Sequence, residues 1–244
     1  MRKVAIVQAR TGSTRLPGKV LIKIKGKTVL EHLLDRLSFV ERIDETVVAT
    51  TDNPGDKKIT ELVKKLGLAC FEGSEEDVLS RFLGAAEQFN ADLVIRISAD
   101  CPLIDPIIVD NIINLHLEKG GDYSSNVLKR TFPKGIAAEV FPTELLERLA
   151  IITQDKLHRE HVTSFVRENP SRFEINSYEN HSGLYNPDWR WVLDTYDDLQ
   201  FVLAVYDRLY NDNGFFGSEE VLELINNVPE LMMLCQREDQ YFEK

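Results

Sequence analysis

The sequence predicts an α/β protein with a doubly wound, mostly parallel sheet and a smaller α+β insertion lobe. Two observations favour this fold. Over roughly the first 120 residues, short apolar runs alternate four times with segments whose apolar residues recur at helical spacing. After Gly120 the strand-like segments are shorter and the regular alternation stops. Sheets of the doubly wound type bind ligands at the carboxyl ends of their strands, so we look for the site there.

Apolar runs predict four strands in the first half, at residues 4–7, 46–50, 68–71 and 93–97. A helix follows each strand, at residues 28–37, 59–66, 74–89 and 106–117. Gly67 ends the second helix. Ser74, with Asp77 three residues later, predicts a capping box that opens the third helix. Asp105 predicts an N-cap before a proline at the first helical position of the fourth.

The second half has an α+β texture. Strands are predicted at residues 123–127, 137–141, 173–177 and 189–193, and helices at residues 143–151 and 155–167. Thr195 and Asp198 predict a capping box for a helix that ends near Tyr210. A last helix, at residues 218–226, precedes an irregular tail. We therefore expect one domain over residues 1–244 that includes a lobe at residues 120–190.

Composition excludes several classes of protein. The 244 residues are 43% hydrophobic and 28% charged, unlike a disordered or collagen-like chain. No stretch approaches the ~18 apolar residues of a membrane span. Cys70, Cys101 and Cys235 are odd in number and have no CxxC spacing, which argues against a disulfide framework or a zinc site. We expect a protein of the reducing cytoplasm.

Charge is unevenly distributed along the chain. The net charge of −11 argues against binding nucleic acid or anionic lipid over the whole surface. Residues 1–27, however, contain eight Lys and Arg residues and no acidic residue. A polyanion is therefore expected near the amino-terminal end.

The loop from Gln8 to Lys19 combines two arginines, one lysine, two glycines and three hydroxyl side chains directly after the first strand. Glycines allow close backbone approach, and exposed N–H groups with Arg and Lys bind phosphate oxygens. This pattern predicts a triphosphate site. It is not a Walker A loop, because five residues separate Gly12 from Gly18 and Val20 replaces the magnesium-binding Ser or Thr.

Two carboxylates follow predicted strands. Asp100 comes after the strand at residues 93–97, and Asp194 after the strand at residues 189–193. Mg²⁺ beside a triphosphate usually takes one or two carboxylates plus phosphate oxygens. The alternative is that each aspartate only caps a turn or helix. His158 and His161 are three residues apart, but no third ligand is evident and a zinc site is not indicated.

Several blocks, in this order, carry a resemblance to a known family: VQARTGSTRLPGK, ATTD, GSEEDVLSRF, RISADCPLID, REHVT and RWVLDT. The chain resembles the sugar cytidylyltransferases, the group containing the ketodeoxyoctulosonate and acylneuraminate cytidylyltransferases. It is most similar to their spore coat polysaccharide branch. Gln8 departs from the proline usual in the ulosonic-acid enzymes, which puts those particular sugars in doubt.

The resemblance implies a nucleotide-diphospho-sugar transferase-like fold and a Mg²⁺-dependent transfer of CMP from CTP to a sugar, with release of pyrophosphate. It also implies a homodimer. The nucleotide-binding residues would be Gln8, Ala9, Arg10, Thr11, Gly12, Ser13, Arg15, Lys19 and Arg81, with Arg10, Arg15 and Lys19 acting in catalysis. Asp100 and Asp194 would bind the metal, and Arg159, Glu160 and His161 would lie near the acceptor sugar. Glu139 is a candidate sugar-binding residue for a different reason, because it is a charge on an otherwise apolar strand and could bind a sugar hydroxyl.

Alternatives remain open for some of these residues and for the reaction. Arg81 could instead form a salt bridge on a helix face, Glu139 could mark an edge strand, and Arg159 with its neighbours could form an ordinary surface helix. A glycosyltransferase would use the same fold, but Asp100-Cys101-Pro102 lacks an Asp-x-Asp pair. A non-catalytic nucleotide-binding regulator is the third hypothesis.

Overall fold

The structure, a computed structural model, describes residues 1–212 and 214–236. The strands are β1 (Lys3–Gln8), β2 (Lys23–Ile24), β3 (Lys27–Thr28), β4 (Glu45–Thr51), β5 (Ala69–Gly73), β6 (Leu93–Ser98), β7 (Tyr123–Ser125), β8 (Glu139–Pro142) and β9 (Ile175–Ser177). The helices are α1 (Val29–Leu37), α2 (Lys57–Lys65), α3 (Val78–Gln88), α4 (Pro106–Lys119), α5 (Thr143–Ile152), α6 (Lys156–Glu160), α7 (Ser164–Glu168), α8 (Tyr196–Leu209), α9 (Ser218–Asn227) and α10 (Pro229–Cys235). Short 3-10 helices lie at Lys19–Leu21, Pro54–Asp56 and Pro170–Arg172.

Seven strands form one sheet in the order β5-β4-β1-β6-β8-β7-β9. Neighbouring strands from β5 to β6 are parallel, whereas β8 is antiparallel to both β6 and β7. This confirms the predicted mostly parallel sheet. Gln8 at the end of β1 pairs with Ala49 on one side and Ser98 on the other, so three strands end at one edge. Chain segments that leave this edge come close together in space.

The apolar run of β1 is buried on both faces of the sheet. Ala5 and Val7 pack into one core with α1, α4 and α8, and Val4 and Ile6 pack into a second core with α3 and α5. Alternate side chains of a strand point to opposite faces, so a strand covered on both sides must be apolar throughout. The two cores hold the sheet edge, and the loops on it, in place.

The insertion lobe shares the main sheet. Its strands β7, β8 and β9 extend the sheet beyond β6, with β9 parallel to β7. Strands are shorter than predicted here, since β7 ends at Ser125 and β9 begins at Ile175. No helix within residues 1–212 and 214–236 has the length and apolar character needed to cross a bilayer.

Two of the three predicted helix caps are confirmed. Asp105 accepts hydrogen bonds from the first turn of α4, and Thr195 with Asp198 forms the capping box of α8. The prediction for α3 was wrong, because its N-cap is Asp77, whose Oδ1 accepts from Ser80 N at 3.0 Å. Ser74 Oγ accepts from Asp77 N at 3.0 Å, so Ser74 closes the turn before the helix instead.

The predicted strand at residues 189–193 is not formed. Trp191 N donates to Lys134 O at 2.7 Å, and Lys134 N donates to Trp189 O at 2.8 Å, but only a single bridge results. The apolar character that suggested a strand comes from Trp189, Trp191 and Leu193, which are all buried in the core. Burial of large side chains by an irregular segment produced the same sequence signal as a strand.

The predicted helix at residues 155–167 is divided into α6 and α7. The break is at Val162, which has a positive φ of 28° and is buried. The break lets Val162 and Val166 enter the core while Leu157 stays exposed. Two further elements were not predicted from the sequence: the β2-β3 hairpin and helix α10, which lies in the predicted irregular tail. The rest of that tail, residues 237–244, is outside the described residues.

Candidate active site

A cavity of about 380 Å³ lies at the carboxyl edge of β1 and β6. Its walls come from the loop after β1, the turn after β6, the start of α3, the end of α6 and the segment before α8. The lining residues are Gln8, Ala9, Arg10, Gly12, Ser13, Thr14, Arg15, Lys19, Val20, Val78, Arg81, Arg96, Ser98, Ala99, Asp100, Glu160, His161 and Asp194. Twelve of these eighteen residues belong to the predicted set of site residues, and the two predicted metal-binding aspartates are among the twelve. The fold therefore gathers the loop, both aspartates and part of α6 around one space.

The loop after β1 is held by its own backbone and by Asp56. Ser13 N and Gly18 N both donate to Thr11 O, at 2.8 and 3.0 Å. Thr11 donates from N and Oγ1 to Asp56 Oδ1 at 2.7 and 2.6 Å. Gly18 has a φ of 69°, a conformation that glycine adopts without strain. Thr11, a predicted nucleotide-binding residue, thus anchors the loop and does not line the cavity.

Lys19 joins the two predicted metal-binding aspartates. Its Nζ lies 2.6 Å from Asp100 Oδ2 and 2.7 Å from Asp194 Oδ1. Burial by itself would lower the pKa of Lys19, but the two carboxylates outweigh it and the pKa lies above its usual value. For Asp194, burial would raise the pKa, but Lys19, Arg15 and Arg190 together lower it. Both groups are therefore charged at neutral pH.

Two arginines lie on the other side of Asp194. Arg15 NH2 is 3.2 Å and Arg190 NH2 is 3.5 Å from Asp194 Oδ2. Arg190 is buried and makes a two-pronged ion pair with Asp198, in which Nε and NH2 donate at 2.9 Å each. Asp194 N donates to Asp198 Oδ2 at 3.0 Å, and Leu193 N donates to Asp100 O at 2.8 Å. These backbone contacts bring Asp194 to Asp100 from distant parts of the chain.

The donor set fits a divalent cation. Asp100 and Asp194 direct one oxygen each to the same point, where Lys19 Nζ now lies. Carboxylate oxygens are the hard ligands that Mg²⁺ prefers, with phosphate and water supplying the rest. Among the described residues, no group of three or more His, Cys, Asp or Glu side chains could hold a metal without such help. The pair is thus suited to an ion that arrives with a phosphate.

Two further cations flank the loop. Arg10 NH1 is 3.4 Å from Glu75 Oε1 in a partly exposed pair. Arg81 is buried and donates from NH1 to Ser74 O at 2.5 Å, while its Nε has no partner among the described residues. Burial, helped by repulsion from Arg10, lowers the pKa of Arg81 to about 10. Within residues 1–212 and 214–236, Arg81 forms no salt bridge on a helix face, and it lines the cavity instead.

A buried polar network extends from the cavity wall into the sheet and explains the charge on β8. Arg96 donates to Glu139 through NH1 and to Gln8 Oε1 through NH2, the latter at 2.9 Å. Glu139 also accepts from Tyr123 at 2.8 Å and Thr163 at 2.5 Å. Gln8, which stands where the ulosonic-acid enzymes usually have proline, makes a side-chain bond that proline could not make. Glu139 is central in the sheet and does not itself line the cavity.

The remaining predicted sugar-binding residues divide into two groups. Arg159 donates from Nε and NH2 to Asp77 Oδ2 at 2.8 and 2.6 Å, so it ties α6 to the start of α3 and lies outside the cavity wall. Glu160 and His161 are exposed and line the cavity. Of the four residues predicted to bind the sugar, only these last two can touch a ligand in this cavity.

A second cavity, of about 300 Å³, shares Arg15 and Asp194 with the first. Arg130 and Lys134 also line it, and neither forms an ion pair within the part of the chain that is described. These two residues, together with Arg96 and Arg190, were not predicted from the sequence. Arg96 could have been found, because a charge near the carboxyl end of an apolar strand is unusual.

Comparison with known proteins gives consistent results. The sequence profile of the family described as "Cytidylyltransferase" matches residues 4–237. The spore coat polysaccharide biosynthesis protein SpsF of Bacillus subtilis is 32% identical over 230 residues, which are 92% of this chain and 94% of that protein. A cytidylyltransferase structure from Leptospira borgpetersenii has a TM-score of 0.89 and 33% identity, and covers 99% of both chains.

A more distant structure shares the fold. It is a CMP:2-keto-3-deoxy-manno-octonic acid synthetase complexed with CTP, with a TM-score of 0.65 and 18% identity. The match covers 85% of this chain and 99% of that one. The fold predicted from the resemblance, that of the nucleotide-diphospho-sugar transferases, is confirmed.

Proposed function

Because the chain belongs to the cytidylyltransferase family, we propose that it transfers CMP from CTP to a sugar hydroxyl and releases pyrophosphate. The observation that carries this proposal is the cavity in which a glycine-containing basic loop faces Asp100 and Asp194. A cation-rich wall opposite two carboxylates suits a triphosphate that arrives with a divalent ion. The structural relative complexed with CTP supports this choice of nucleotide.

The residues of the chain bind and orient in this reaction, and none forms a covalent bond with the substrate. Arg10, Arg15 and Lys19 would hold the β and γ phosphates together with the loop amides. The sugar oxygen bonds to the α-phosphorus, and the bond from that phosphorus to the bridging oxygen of pyrophosphate breaks in line. Pyrophosphate leaves with the electron pair, and the hydroxyl proton goes to solvent. Positioning and fixed positive charge lower the barrier.

Asp100 and Asp194 would hold Mg²⁺ in this proposal. When bound, the ion neutralises charge that develops on the α-phosphate. Lys19 now lies between the same two oxygens, so its ammonium group must leave them when a divalent ion binds. It would then be free to contact a phosphate, which gives one residue two successive partners.

The second cavity is suited to the acceptor sugar. It meets the first at Arg15 and Asp194, so donor and acceptor could approach the α-phosphorus from different sides. Arg130 and Lys134 favour a sugar that bears a carboxylate or another anion. Glu160 and His161 line the first cavity and would contact ligand there, whereas Glu139 and Arg159 would act by holding the surrounding structure in place.

A homodimer is part of the proposal and rests on the resemblance to the family. The lobe at residues 120–190 would supply the interface. Light scattering on the purified protein gives the molar mass in solution, and a mass near 27.9 kDa would exclude the dimer.

A thermal-shift panel of the four nucleoside triphosphates with Mg²⁺ tests the nucleotide site. We expect CTP to raise the melting temperature selectively, and a melting temperature that none of the four changes would contradict the proposal. Pyrophosphate release is then assayed with CTP and a panel of sugar acids and neutral sugars. Asp100→Asn should lower turnover at least about 100-fold, the range seen when a preorganised charge partner is removed. A glycosyltransferase would bind a nucleotide sugar and release no pyrophosphate from CTP.

A further inference from the structure

A buried ion pair lies beside Asp194, and its aspartate has been given no role so far, although its arginine also lines the second cavity. Arg190 binds both carboxylate oxygens of Asp198 at 2.9 Å, and both residues are buried. Asp198 lies in the first turn of α8, where its Oδ2 also accepts from Asp194 N at 3.0 Å and Thr195 N at 2.8 Å. One carboxylate therefore holds both the arginine and the backbone at the candidate metal ligand.

Arg190 is within reach of two carboxylates. Its NH2 is 2.9 Å from Asp198 Oδ2 and 3.5 Å from Asp194 Oδ2. The base of the side chain is fixed, because Arg190 N donates to Cys235 O at 2.8 Å. A small movement of the guanidinium group would therefore give Asp194 a full hydrogen bond. The two hydrogen bonds from Arg190 to Asp198 oppose that movement.

Asp194 already faces two other cations, Lys19 and Arg15. A third cation bonded to it would occupy an oxygen lone pair and neutralise charge that a divalent ion needs. We propose that Asp198 is a positioning residue that holds Arg190 at the longer distance of 3.5 Å and prevents a full hydrogen bond to Asp194, so that Asp194 can bind a divalent cation. This inference rests on the proposed function, in which Asp194 is a metal ligand.

Three variants test the proposal by metal affinity. Asp198→Asn removes the negative charge but keeps an oxygen that accepts the backbone N–H bonds. We expect nucleotide-free D198N to bind Mn²⁺ about tenfold more weakly than the wild type, since one charged hydrogen bond must be broken first. In D198N/R190Q the competing cation is absent, and the affinity should return at least to the wild-type value. Free Mn²⁺ is measured by EPR.

Asp105→Asn is the matched control. Asp105 is likewise a buried aspartate at the start of a helix, here the N-cap of α4, and it accepts from Ile107 N at 2.9 Å and Ser218 N at 2.6 Å without lining the cavity. This variant should lower the melting temperature and leave the Mn²⁺ affinity unchanged. If the Arg190–Asp198 pair had a purely structural role, D198N would likewise have a lower melting temperature and an unchanged Mn²⁺ affinity.

Three outcomes would overturn the proposal: wild-type Mn²⁺ affinity in D198N, an affinity in D198N/R190Q as low as in D198N, or no Mn²⁺ binding to either the wild type or the double variant. Failure of the proposed function has a separate signature. In that case CTP with Mg²⁺ would not raise the melting temperature of the wild-type protein, a measurement that involves none of these variants.

Discussion

Lys19→Met removes the cation between Asp100 and Asp194. In the ligand-free protein, Lys19 makes two charge-assisted hydrogen bonds, at 2.6 and 2.7 Å. Each bond to a charged group contributes about 1.5–3 kcal/mol. Arg15 and Arg190 remain near Asp194, and both carboxylates keep about a fifth of their surface exposed, so screening reduces the loss. We expect a net destabilisation of about 2 kcal/mol, towards the lower end of that range.

For a chain of this length, about 2 kcal/mol corresponds to a fall in melting temperature of about 4–8 °C. Millimolar Mg²⁺ should restore part of the loss in K19M, because an ion can now bind between the two carboxylates. The same Mg²⁺ should change the wild-type melting temperature less, since the ammonium group competes with it. Differential scanning calorimetry measures the four melting temperatures, those of both proteins with Mg²⁺ and with EDTA.

Lys25→Met is the control for removal of a lysine ion pair. Lys25 contacts Asp207 at 2.5 Å, but this pair is exposed and should contribute little. If K19M melts at the same temperature as K25M, or if Mg²⁺ stabilises the wild type as much as K19M, the reasoning about the bridged carboxylates is refuted.

Two other predictions concern the structure around the site. The pKa of Glu139 lies below its usual 4.5, because Arg96 and two hydroxyl donors outweigh the effect of burial. Its charge therefore stabilises the fold above that pH, and the contribution is lost as pH falls through the folded-state pKa. Glu139→Gln should lower the free energy of unfolding by about 3 kcal/mol at pH 7. Below pH 4.5 the difference in stability between the variant and the wild type should narrow. A difference in melting temperature that stays constant from pH 7 to pH 3 would contradict this. Gly135→Ala should destabilise by about 3 kcal/mol or more in urea unfolding, because φ is 108° and the new Cβ would lie 2.4 Å from a backbone nitrogen. Gly183 has a φ of 70° and open space where a Cβ would lie, so Gly183→Ala should lower the free energy of unfolding by only about 1 kcal/mol. If both variants lost the same stability, the short distance between the Gly135 position and the backbone nitrogen would be unimportant.

The parallel part of the fold could be predicted because each strand carries its own local signal. The run in β1 is apolar throughout since both of its faces are covered, and the N-caps Asp105 and Thr195 act on their own helices. The segment at residues 189–193 could not be predicted. Its apolar side chains are buried, as in a strand, but its backbone pairs with Lys134 at a single bridge, and such pairing depends on a distant part of the chain.

The candidate site was predicted in part for a similar reason. The loop after β1 concentrates its cations within twelve residues, so its composition alone indicates phosphate binding. Arg96 and Glu139 are 43 residues apart in the chain and meet because β6 and β8 are neighbours. From the sequence, Glu139 was expected to bind a sugar or to mark an edge strand; β8 is an internal strand, and Glu139 forms an ion pair there with Arg96.

The sequence by itself determined the alternating strands and helices, the basic loop and the family to which the chain belongs, because these depend on residues close together or on motifs in fixed order. Only the tertiary structure decided which charges meet. It joined Lys19 to Asp194, 175 residues away, and placed Arg190 between Asp194 and Asp198. Ion pairing depends on distance in space and on burial, and neither can be read from spacing along the chain.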